Sequence, residues 1–104
     1  MVAEQDWTDA LGLVVRLLRT ESGFSQERFA HAIGTAKNQV LRVEHGQTRV
    51  AFDTLIRIAI ALQVRPAELL ERVEALVQAP SDLRAAKAKL EEERAARRGG
   101  HSER

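Results

Sequence analysis

Along the first eighty residues, apolar positions recur every three or four residues, and glycine or proline interrupts the rhythm. That spacing places apolar side chains on one side of a helix. Leu11, Val14, Val15 and Leu18 predict a first helix over about Thr8–Ser22, ended by Gly23. In "SQERFAHAIG", Ser25 is a good N-cap, Phe29, Ala30 and Ile33 form an inner face, and Gly34 is a left-handed terminator. A third helix, predicted over 36–45, lies in "GTAKNQVLRVEHG", with Val40 and Val43 facing inward. After the six-residue loop "QTRVAF", Leu55, Ile58, Ala59 and Leu62 mark a fourth helix over about Asp53–Gln63. A fifth starts at Pro66, whose missing N–H is no loss in a first turn. No segment alternates long enough for a strand, so the fold class is all-α.

Pro80 breaks the pattern. Ser81 is placed to cap a sixth helix, "SDLRAAKAKLEEERAARR", in which only Leu83 and Leu90 are large and apolar. Gly99 and Gly100 are expected to end it. The expected organisation is a domain over 1–79, a helical arm over 80–98 and a disordered tail over 99–104.

Composition narrows the choice of function. With one Trp, three Phe and no Tyr, the core must come from Leu, Ile, Val and Ala. There is no Cys, and His31, His45 and His101 lack the spacing of a zinc site, so neither a metal nor another cofactor is expected. The absence of a nucleophilic Cys, a phosphate-binding Gly loop and a paired-acid cleft argues against an enzyme. No apolar run approaches the roughly 20 residues that span a bilayer, so no membrane partner is expected and a cytoplasmic setting is the default. The net charge of +1 is unevenly spread. Residues 1–24 carry two arginines against four carboxylates, whereas residues 25–50 carry Arg28, Lys37, Arg42 and Arg49 against Glu27 and Glu44.

That cationic excess coincides with the second and third helices. The short turn through Gly34 makes them cross steeply, as in a helix-turn-helix, whose second helix can enter the DNA major groove. Asn38 and Gln39 are suited to adenine, Lys37 and Arg42 to guanine. Ser25 and Gln26 open the second helix, where a phosphate could be met. The plain alternative is that any solvated helix face carries such residues.

The pieces "LR…SGFSQERFA", "IGT", "RVEHG", "TLIRIAIALQV" and "AELL", in this order between Leu11 and Leu70, resemble the Cro and phage-repressor (XRE) helix-turn-helix family. The resemblance implies a five-helix, lambda-repressor-like domain that binds double-stranded DNA as a homodimer. It places Gln26 and Arg49 near phosphates, Lys37, Asn38 and Arg42 at bases, and Thr35 and Gln39 near base or backbone. It also implies a structural ion pair between Arg19 and Glu44. The chain departs from the family pattern at Ala36, which moves the expected cap of the third helix to Thr35, and at Val50, where a proline is common. Gln63 stands where a glycine usually adopts a left-handed conformation. Leu41 has two readings, contact with a thymine methyl or packing on a neighbouring helix. Ile60 and Val64 are the candidate dimer interface.

Leu69, Leu76, Leu83 and Leu90 are seven apart, but the second stripe a coiled coil needs holds two prolines and a lysine. The sixth helix is therefore expected to be a packing arm, folded back on the fifth helix or its dimer mate, with a solvated helix as the alternative. The function expected is a transcriptional regulator, most simply a dimeric repressor or autoregulator. The alternative is an antitoxin or other interaction module that meets a protein partner through its C-terminal helix.

Overall fold

The computed structural model describes residues 3–102 and contains six helices: α1 (Glu4–Glu21), α2 (Gln26–Ala32), α3 (Lys37–Glu44), α4 (Phe52–Ala61), α5 (Pro66–Val77) and α6 (Pro80–Ser102). The described residues form no strand. Helix α1 is the central element, packing against α3 on one side and α5 on another, while α2 and α3 pack on each other. Ala10, Val15, Phe29, Ile58, Ala59 and Leu69 are almost wholly enclosed where these helices meet. The Phe24 and Phe29 rings lie 5.6 Å apart, tilted by 57°, and join α2 to the chain that precedes it.

Helix α1 starts four residues before the predicted Thr8. Its first turn is polar and carries no apolar rhythm, but Glu4 and Asp6 suit a helix N-terminus. A long-range contact also holds it, because Gln5 Nε2 donates to the carbonyl of Gly46 at 2.9 Å.

Four helices end alike. After α1, α2, α3 and α4 come Gly23, Gly34, Gly46 and Gln63, all with positive φ. The next amide then closes on a carbonyl five residues back, as in Thr35 to Ala30 at 2.8 Å and Val64 to Ala59 at 3.0 Å. Gln63 holds φ 60° as its position led us to expect. A side chain there costs about 1 kcal/mol relative to glycine.

Two caps differ from expectation. Helix α3 is capped by Ala36, which is extended at φ −97° and ψ 156° and offers no side-chain acceptor. Thr35 lies one residue too early to cap it. Helix α6 begins at Pro80, so Ser81 sits inside the first turn, a position that proline tolerates for the same reason as Pro66.

Helix α6 folds back on α1 and α5, burying Leu83 and Leu90. It continues through Gly99 and Gly100 to Ser102, past the predicted stop. Glycine ends a helix by turning left-handed; if it keeps helical angles, it costs only about 1 kcal/mol. The expected disordered tail thus gives way to helix as far as Ser102, and residues 103 and 104 lie outside the described residues.

Candidate nucleic-acid interface

Helix α2 is short, and its direction is set at both ends. At the start, Ser25 Oγ accepts from the Arg28 amide at 3.1 Å. At the end, Gly34 takes φ +74° and open space surrounds the position of a Cβ. The turn is therefore bound to glycine by backbone angle rather than by crowding. Arg57 of α4 steadies the same corner, donating from Nε to the Ile33 carbonyl at 3.2 Å and from Nη2 to Thr54 Oγ1 at 3.1 Å. No sequence motif points to Arg57, because its partner carbonyl lies 24 residues away.

One side of α3 is locked into the protein. Val40 and Val43 enter the core, and the Glu44 side chain is wholly enclosed. Arg19 Nε lies 2.5 Å from Glu44 Oε2, and its Nη2 lies 3.2 Å from Oε1. Arg19 Nη1 also donates to the Phe24 carbonyl at 2.8 Å. Gln26 Nε2 reaches Glu44 Oε1 at 3.2 Å. The Arg19–Glu44 pair thus joins α1 to α3, and Gln26 joins both to the start of α2. An enclosed charge pair of this kind is weak evidence for net stability, but losing one partner strands the other.

Gly12 is the second lock. An added Cβ there would lie 2.3 Å from the Val43 carbonyl oxygen and 2.8 Å from that of Glu44. Backbone meets backbone where α1 crosses α3. In sequence Gly12 is one glycine within a helical run, and nothing around it signals the crossing.

The other side of α3 faces outward. Lys37, Asn38 and Arg42 are exposed. Thr35 and Gln39 are half-buried at the margin, lining a small hollow with Val15, Phe29 and Ile58. Ser25 is exposed and Gln26 half-buried at the head of α2. Arg49 is exposed in the loop after α3, 3.9 Å from Glu4 Oε1. The fold therefore leaves Asn38 and Arg42 together on the outward side of α3, with Lys37 exposed at its first residue and the remaining candidates around them. Because Ala36 offers no side-chain cap, the Lys37 and Asn38 amides at the head of α3 have no partner among the described residues. Leu41 is half-buried on the wall of a groove between α3 and α6.

Ile60 stands 67% exposed on the outside of α4, whereas Val64 packs partly against the core. Phe52, 75% exposed at the start of α4, is a further outward apolar side chain. Among the described residues no three His, Asp or Glu side chains are grouped to hold a metal ion, and no helix is long and apolar enough to cross a membrane.

A capped short helix, a glycine turn and a second helix with one buried and one polar side define a helix-turn-helix protein of the DNA-binding, transcription-regulating class. A sequence profile of the helix-turn-helix family matches residues 15–69, more than half of the chain, and the protein belongs to that family. Its similarity to solved structures places it with XRE-type regulators. It is 37% identical to the restriction–modification controller protein C.AhdI from Aeromonas hydrophila, over 60% of this chain and 94% of that one, with a TM-score of 0.58. It is 28% identical to the hypothetical transcription factor NHTF from Neisseria, over 72% of this chain and 92% of that one, with a TM-score of 0.59. The clp gene regulator ClgR from Corynebacterium glutamicum shares the fold at 23% identity, over 83% of this chain and 87% of that one, with a TM-score of 0.68. No curated protein matches the chain significantly.

Proposed function

We propose that the protein is a sequence-specific repressor or autoregulator that binds a two-fold DNA site as a homodimer and reads the major groove with α3. The observation that carries this reading is the division of α3. Val40, Val43 and Glu44 hold one side rigidly, Asn38 and Arg42 stand together on the other, and Lys37 is exposed at the head of the helix. Long polar side chains on a fixed helix suit base-edge recognition, since Asn can bond adenine bidentately and Arg or Lys the acceptors of guanine. Thr35 and Gln39 meet the edge of the same site. Ser25, Gln26 and Arg49 are placed for phosphates, which set register rather than sequence preference. Ile60, with Val64 beside it, supplies the apolar contact between two copies. The similarity to C.AhdI, itself a controller protein, supports a role in transcriptional control.

The test is selection of bound duplexes from a random pool at two salt concentrations. A palindromic motif is expected, with affinity falling steeply as salt rises and a half-site spacing that reports the dimer geometry. Weak, salt-sensitive binding without an enriched motif would overturn the reading.

A further inference from the structure

Helix α6 does more than cover the core. Leu83, Lys87, Leu90, Arg94 and Arg97 follow one another at steps of four, three, four and three, so they share one side of the helix. The first three face the body. Leu83 and Leu90 are buried, and Lys87 Nζ lies 2.7 Å from Asp9 Oδ2 of α1. Arg16 of α1 pairs with Glu93 through Nη2 and Oε1 at 2.5 Å. Two ion pairs and two enclosed leucines fix the rotation of α6 about its axis.

Past Leu90 the same stripe leaves the core and comes alongside α3. There its residues are Arg94 and Arg97. Together with Asn38, Arg42, His45 and Gln47 they line a groove of about 550 Å³. None of these lining residues is acidic. The carboxylate paired with Arg94 belongs to α6 itself, Glu91 at 3.7 Å, an exposed contact of the kind that contributes little. Three guanidinium groups thus border an open groove without a carboxylate among its lining. Such an arrangement repels itself until an anion enters.

Asn38 and Arg42 belong both to this groove and to the outward face of α3. An anion in the groove therefore lies beside the bases that α3 would read. We infer that α6 is a second DNA-contacting element, whose Arg94 and Arg97 hold backbone phosphates of the strand flanking those bases. The inference rests on the reading of α3 proposed above. Contacts to phosphate add affinity without sequence preference, and each contact made steepens the salt dependence by about 0.9 in log–log slope.

The experiment compares the full wild-type chain with an Arg94→Gln, Arg97→Gln double variant, both checked for unchanged melting. Binding to the selected duplex and to a scrambled one is followed by fluorescence anisotropy across a salt series. The expected result is a loss of about tenfold at roughly 0.1 M salt on both duplexes, a slope shallower by about 1–2, and an unchanged preferred motif. Unchanged affinity and slope would overturn the inference. So would tighter binding, which would mean that α6 shields α3, or a changed base preference. Inorganic phosphate is expected to compete no better than other salt of equal ionic strength; saturable competition would assign the groove to a free anion instead. A wild-type chain that prefers no sequence brings down the reading of α3 and this inference with it. A retained preference with undiminished affinity in the variant brings down this inference alone.

Discussion

The two sides of α3 are built on opposite terms. On the inner side, Val40, Val43 and Glu44 are enclosed, and the backbone of α1 touches the backbone of α3 at Gly12. On the outer side, the Lys37, Asn38 and Arg42 side chains engage in no hydrogen bond or ion pair among the described residues. One side of eight residues carries the fold, while the other is the side proposed above to read DNA. The inner side therefore tolerates few residue types, and the outer side can vary freely without endangering the domain.

Three substitutions probe that contrast, ranked by their effect on stability. Glu44→Ala leaves Arg19 enclosed without its carboxylate and is expected to cost about 3–5 kcal/mol, read from urea unfolding. A loss below about 1 kcal/mol would mean that solvent reaches the pair. Gly12→Ala forces the α1–α3 crossing apart and is expected to cost about 1–3 kcal/mol. A melting temperature equal to wild type would show that the two backbones can separate freely. Arg42→Ala is expected to leave stability within about 0.5 kcal/mol. The same change should cost about 1–3 kcal/mol in binding to the preferred duplex and relax selectivity at one position. Equal loss on every duplex would take Arg42 out of base recognition and assign it to phosphate.

What the sequence made legible follows the range of the forces involved. The Ser25 cap and the Gly34 turn are local features, and each is found at its expected residue; the left-handed Gln63 is also found where expected, but its position was legible only through the family resemblance. The Arg19–Glu44 pair spans 25 residues and was legible only through the family resemblance. Features that depend on meetings between distant elements escaped. The early start of α1 rests on Gln5 reaching Gly46, and the role of Gly12 rests on the crossing with α3. The approach of α6 to α3 depends on how a whole helix is tethered by Asp9 and Arg16. At the outward face, Asn38 and Arg42 were legible because helical spacing turns them away from Val40 and Val43, whereas Lys37, three residues before Val40, was a candidate through its residue type and the family resemblance. The choice of Ala36 over Thr35 as cap turned on a single residue of backbone conformation.

Under the proposed reading of the groove by α3, the contact at Gly12 has a consequence for recognition. With α1 seated directly on its backbone, α3 has no space in which to roll about its own axis. A helix that cannot roll cannot adjust its aim to suit an imperfect groove. The adjustment falls to the duplex, which must bend, twist or widen to meet the side chains. Sequences for which that deformation is easy bind better even at base pairs no side chain touches. On that reading, a glycine at the back of the domain becomes a term in the choice of operator.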